Sequence, residues 1–129
     1  REDTILISVM FANNEVGTIE PIEEIAKIAK KHDILFHVDA VQALGNIEID
    51  LLQLDVDLMS FSAHKIHGPK GIGVLYIKEG TKITPLIHGG AQEREKRAGT
   101  ENTAYIVAMG VAMEEAVENL EENKNYSIK

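Results

Sequence analysis

Apolar residues in this chain recur in two rhythms: short β-branched runs, and longer stretches that repeat at helical spacing. Thr4-Ile5-Leu6-Ile7-Ser8-Val9-Met10 is of the first kind and reads as a strand buried on both faces. Asn13-Asn14 and Gly17 then mark a turn. Pro21 suits the first turn of a helix, and Ile22, Ile25, Ile28 and Ala29 follow it at helical spacing. Lys27, Lys30 and Lys31 gather at its far end, where the helix macrodipole favours cations. Ile34-Leu35-Phe36-His37-Val38 is the next strand, and a strand–helix–strand succession implies parallel pairing.

Asp57-Leu58-Met59-Ser60-Phe61-Ser62 predicts a third strand, which runs into Ala63-His64-Lys65 and the glycine-rich stretch from Gly68 to Gly73. Val74-Leu75-Tyr76-Ile77 predicts a fourth, and Ile83 to Ile87 is a weaker apolar stretch. From Thr103 to Asn123 the pattern is helical, with Ala104, Ala108, Ala112, Ala116 and Leu120 on one stripe. The polar residues 123–129 read as a frayed tail, leaving 1–122 as the folded part. Strands alternating with helices predict an α/β chain.

Composition narrows the partners. A net charge of −8 argues against a nucleic-acid surface, which needs clustered Lys and Arg. No segment is long and apolar enough to predict a membrane span, and a cytoplasmic setting is the default. The 129 residues contain no cysteine, so disulfides, thiolate metal sites and a cysteine nucleophile are excluded from this chain. His64 and His67 lack a carboxylate or cysteine at ligand spacing, so no metal is expected. Arg1-Glu2-Asp3-Thr4 opens almost directly into an apolar run, as if cut from a longer chain.

Ligands of open α/β sheets collect at the carboxyl ends of the strands. Here the first strand leads to Asn13 and Asn14, the second to Asp39 and Gln42, the third to Ser62, His64 and Lys65. Taken singly these are ordinary: Asp39 also looks like a turn or helix cap, Asn14 like a turn residue, and Lys65 like a solvated lysine. His32 and His37 read as a helix-end and a packed strand residue. The glycines from Gly68 onward lack the Walker-A arrangement. Together, an acid, amides, a hydroxyl, an imidazole and an amine suit an anionic heterocyclic cofactor.

Four segments carry a resemblance. Ser62-Ala63-His64-Lys65-Ile66-His67-Gly68-Pro69-Lys70-Gly71-Ile72-Gly73 resembles the lysine motif of the class-V aminotransferase group of pyridoxal-phosphate (PLP) enzymes. Asn13-Asn14-Glu15-Val16-Gly17-Thr18 and His37-Val38-Asp39-Ala40-Val41-Gln42 are similar to the cysteine desulfurases of the NifS/IscS type within it. His88-Gly89-Gly90-Ala91-Gln92-Glu93-Arg94, followed by Arg97-Ala98-Gly99-Thr100, has the same likeness, with Ala91 where many relatives have a third glycine.

The resemblance implies the large domain of fold-type-I PLP enzymes: a mostly parallel sheet with helices on both faces, and Gly73–Ile77 antiparallel. It implies that Lys65 is the Schiff-base lysine and that Asp39 faces the pyridine nitrogen. Asn14 and Gln42 would bond the ring's phenolic oxygen, and Ser62 and His64 would bind the phosphate. Thr100 would serve a partner's phosphate in a homodimer. The implied reaction takes sulfur from L-cysteine to leave L-alanine and a persulfide, destined for an acceptor scaffold in iron–sulfur or thio-cofactor assembly. The family's nucleophilic cysteine lies on a segment outside this chain, so the chain is expected to be a fragment, inactive by itself. A selenocysteine lyase or another class-V enzyme as the parent, and a non-catalytic interaction domain, are the alternatives.

Overall fold

A computed structural model describes residues 1–127. Strands β1 (Leu6–Met10), β2 (Leu35–Asp39), β3 (Leu58–Ser62) and β4 (Gly73–Ile77) form one sheet in that order. The first three are parallel, and β4 runs antiparallel to β3, as expected. Helix α1 (Ile22–Lys31) makes the crossover from β1 to β2. A 3₁₀ turn (Ala63–Lys65) follows β3, then come the single turn α2 (Gln92–Glu95) and helices α3 (Thr103–Glu118) and α4 (Leu120–Ser127).

Side chains alternate across a strand, and the buried residues of the central strands fall on one face: Phe36, Val38, Met59 and Phe61. Ile22, Ala26 and Ala29 of α1 and Met109, Ala112 and Ala116 of α3 join the same core. These spacings each fit one face of a helix, which is why α1 buries Ala26 and leaves Ile28 exposed. The opposite face of the sheet, carrying Leu6, Met10, Leu35 and Leu75, is exposed among the described residues. Within this length of chain, then, the helices that join the core gather on one side, and coverage of the second face is not seen. Strand β1 therefore buries only its Ile7–Val9 side, where the sequence suggests burial on both.

The weaker apolar stretch Ile83–Ile87 forms no strand, and Pro85 at its centre has no N–H to donate to a ladder. One other expectation changes. The helix expected over Thr103–Asn123 breaks at Asn119, whose side-chain amide donates to the Glu115 carbonyl (2.8 Å) at the helix end. Helix α4 then runs through Ser127, into the segment read as a tail. Asn123 Nδ2 donates to the Gly45 carbonyl (3.3 Å), and Lys124 pairs with Glu121. Residues 128–129 of that segment lie outside the described residues.

The end of the sheet opposite the strands' carboxyl edge is tied by charge. Asp55 pairs with both Lys30 at the end of α1 and Lys78 just after β4, and Asp57 Oδ2 accepts from the Phe36 N–H (2.8 Å). The hydrogen bonds from Lys30 and then Lys78 hold the Asp55 carboxyl below its usual range, and the Asp55 bond raises Lys78. A depressed carboxyl contributes stability above its unfolded value, about 3.9, that is lost as pH falls through the lower folded value. Surface pairs of this kind are each worth about 0–1 kcal/mol. Asp55→Asn is therefore expected to lower stability by about 1 kcal/mol near neutrality, with the two proteins converging in urea titrations as acid protonates the Asp55 carboxyl below the usual carboxylate range.

Candidate functional site

Because β1, β2 and β3 are parallel, their carboxyl ends share one edge of the sheet, and the backbone ladder continues past them. The Phe11 N–H donates to the Asp39 carbonyl (2.8 Å), and the Ala40 N–H to the Ser60 carbonyl (3.0 Å). This brings the segments bearing Asn14, Asp39, Gln42, Ser62, His64 and Lys65 to the same edge. Asp39 is the last residue of β2 and is exposed; its Oδ1 accepts from the Val41 N–H (3.0 Å), which orients the carboxylate and starts the next turn. The capping reading of Asp39 thus holds, and its Oδ2 makes no protein hydrogen bond among the described residues.

Ser62 closes β3, and its Oγ lies 2.8 Å from His64 Nδ1. That contact holds the ring and leaves Nε2 for another partner. Lys65 ends the 3₁₀ turn with its side chain exposed and in no ion pair among the described residues. The loop beneath it is closed by the Ile66 and Gly68 N–H groups, both donating to the Ala63 carbonyl (3.0 and 2.9 Å). Gly68 has to be glycine: a Cβ there would meet Ala63 Cβ at 2.8 Å and the Ala63 oxygen at 3.0 Å. Gly73 is equally constrained, since a Cβ would lie 2.7 Å from the Phe61 oxygen. Gly68 and Gly73 therefore serve close backbone approach, whereas Gly71 has open space around it and takes a left-handed backbone (φ 83°).

The amide groups of Asn14 and Gln42 form no side-chain hydrogen bond among the described residues. Thr100 is exposed in the segment before α3 and is bonded to none of the other six. It follows α2, where Glu93, Arg94 and Glu95 all take left-handed backbone angles (φ 48°, 55° and 65°). Helix α3 then begins at the Asn102 cap with Tyr105, Ile106 and Val107 all exposed.

Two clefts differ in charge. One, of about 590 Å³, is lined by Glu20, Glu23, Glu24, Glu48 and Asp50, a set that repels an anion. The other, of about 530 Å³, is bordered by Lys65 and His67 on one side and by Glu115, Glu122 and Tyr126 on the other. Sequence reading missed one feature of the site. His37, taken as a packed strand residue, is half-buried and has a serine hydroxyl at each ring nitrogen. His32 does sit at the end of α1.

The residue pattern of the aminotransferase class-V family matches residues 1–127. The chain belongs to this family. Among curated class-V relatives, the cysteine desulfurase IscS of Dictyoglomus turgidum is 60% identical over all of the chain, which covers 34% of that protein. The cysteine desulfurase NifS of Azotobacter vinelandii is 52% identical over 93% of the chain and 30% of its own length. A solved NifS-like protein superposes with a TM-score of 0.90 at 58% identity, over 94% of this chain and 34% of the other. A structure described as SspA in complex with cysteine gives a TM-score of 0.84 at 47% identity, over 88% of this chain and 33% of the other. The chain thus spans about a third of the length of the relatives it matches.

Proposed function

We propose that this chain is the cofactor-holding part of a PLP-dependent cysteine desulfurase. The observation that carries this reading is the convergence of Asn14, Asp39, Gln42, Ser62, His64 and Lys65 on one carboxyl edge, in a chain so similar to IscS and NifS.

The donor set fits PLP. Each ionic or polar part of that molecule finds a complement: an amine for the aldehyde, a carboxylate for the ring nitrogen, amides for the phenolic oxygen, a hydroxyl and an imidazole for the phosphate. When bound, PLP supplies an electron sink for charge developing at the substrate Cα. Lys65 anchors the aldehyde and afterwards moves the Cα proton through its Nζ. Asp39, oriented by the Val41 N–H, keeps the ring nitrogen protonated. Ser62 and His64, already fixed to each other, hold the phosphate, and Asn14 and Gln42 hold the ring. Thr100, apart from the other six, serves the phosphate of a second subunit in a homodimer.

In the whole protein the carbon–sulfur bond of L-cysteine breaks. The sulfur passes to a cysteine thiol as a persulfide, and Cβ takes a proton to leave L-alanine. The persulfide then feeds an acceptor scaffold for iron–sulfur or thio-cofactor assembly in the cytoplasm. These 129 residues contain no cysteine, so the accepting thiol is supplied from outside them and the chain alone is inactive.

The test is to incubate the chain with PLP, reduce with borohydride and locate the modified lysine by peptide mass spectrometry. Selective modification of Lys65, lost in Asp39→Ala, supports the reading. Modification scattered over surface lysines, equal in both proteins, overturns it for this chain.

A further inference from the structure

The turn that carries Lys65 closes through a torsion that residues with a Cβ seldom adopt. His67 is left-handed, with φ 66°. The Gly68 N–H after it reaches back to the Ala63 carbonyl (2.9 Å), an oxygen shared with the Ile66 N–H (3.0 Å). This is a closure that ends many helices, with the left-handed residue one place before the closing donor. Helix α1 ends in the same way: Asp33 is left-handed (φ 54°), and the Ile34 N–H donates to the Ala29 carbonyl (3.0 Å). There the closure terminates a helix of 10 residues. At His67 it closes a single 3₁₀ turn whose last residue is Lys65.

We propose that His67 is the positioning residue for Lys65, its left-handed torsion fixing the backbone from which the amine departs. This rests on the reading of Lys65 as the amine that takes the cofactor, and adds what aims it. Ala63 and Ile66, on either side of His64 and Lys65, are buried, while His64, Lys65 and His67 are exposed. The Ala63 N–H is itself held by the Ile72 carbonyl (3.2 Å), just before β4. Ala63 therefore ties the turn both to its own exit and to the neighbouring strand. The glycine of the closure stands at 68, where space against Ala63 and Ala112 requires it, and its own φ is not left-handed. The left-handed torsion thus falls to residue 67. Histidine is among the residues that tolerate this region, but no side-chain hydrogen bond of His67 favours it among the described residues. Such a torsion persists only where its surroundings over-determine it. Here those surroundings are the Ala63 oxygen and the buried side chain of Ile66. Relaxed to an extended or right-handed form, residue 67 would carry Gly68 away from Ala63 and release the backbone of Lys65.

Three variants test this on the chain without cofactor. His67→Asn keeps a residue that accepts the left-handed region, His67→Gly removes the steric cost, and His67→Val brings a β-branched side chain that does not fit. Hydrogen exchange of the Gly68 amide reads the closing bond, and the Lys65 Cα and Cβ shifts read the backbone that bears the amine. His67→Asn should behave as wild type, and His67→Gly should raise the urea midpoint with the Lys65 shifts unmoved. In His67→Val the Gly68 amide should exchange about tenfold faster, with the Lys65 shifts displaced. A turn serving stability alone would change the midpoint and leave the Lys65 shifts in place. Unmoved Lys65 shifts in His67→Val overturn the proposal. A lowered midpoint or displaced Lys65 shifts in His67→Gly do so too, and that variant decides the matter where the valine protein does not fold. None of these measurements involves PLP, so they can fail while PLP still labels Lys65, or succeed where labelling fails.

Discussion

Lys65→Ala is expected to abolish covalent capture of PLP by this chain outright, leaving no single modified peptide after borohydride reduction. Lys65→Arg should behave the same way, because the guanidinium keeps the charge but stays protonated and is no nucleophile. The effect is all-or-none because only an amine can condense with the aldehyde. What distinguishes Lys65 from the chain's other lysines is its place: the end of a 3₁₀ turn whose backbone is pinned to Ala63, one residue after the His64 imidazole that Ser62 holds. Peptide mapping checks this directly. Equal labelling of wild type and Lys65→Ala would place the reactive amine elsewhere and remove the keystone of the proposed site.

The second large effect is on stability. Phe36→Ala is expected to cost about 3–5 kcal/mol, the range for emptying an aromatic core position. Phe36 is 1% exposed and among the largest fully buried side chains, on the face where α1 and α3 meet the sheet. Domains carry only about 5–15 kcal/mol in total. One that leaves Leu6, Met10, Leu35 and Leu75 exposed on its second sheet face among the described residues has little to spare, so the variant should be largely unfolded at ambient temperature. Ile28→Ala on the outer side of α1 should change stability by no more than about 0.5 kcal/mol. Urea denaturation followed by circular dichroism separates the two. A Phe36→Ala midpoint close to that of Ile28→Ala would mean that the core does not depend on this contact.

Much of the architecture was legible from the sequence for physical reasons. Apolar runs of strand length and a helical repeat between them place β1, α1 and β2 within one or two residues, and parallel pairing follows from the crossover. The carboxyl-edge residues follow too, because the residues just past each parallel strand must lie on one edge. The direction of β4 was not legible from pattern, since alternation is the same read either way, and came only from resemblance. One-sided burial of β1 was hidden because the run Thr4–Met10 is apolar at nearly every position, while burial depends on what covers the second face. The break at Asn119 hinges on one side-chain amide and a carbonyl four residues back, too weak a signal in a continuous helical stripe. The placing of Ser8 and Ser60 at the two ring nitrogens of His37 needs strand register, which no single strand encodes. Thr100 stands in an exposed segment that gives the sequence no periodicity to read.

The left-handed turn at Glu93–Glu95 has an energetic corollary. For residues with a Cβ, that backbone costs about 1–2 kcal/mol each relative to the right-handed form, and three in a row hold several kcal/mol in a surface loop. Glu and Arg are good right-handed helix formers, so nothing in their own preferences favours the shape. A loop already raised in energy is inexpensive to remodel. Whatever settles against the Thr100 segment and the bare first turns of α3 could draw on that stored energy to offset the entropy of ordering both.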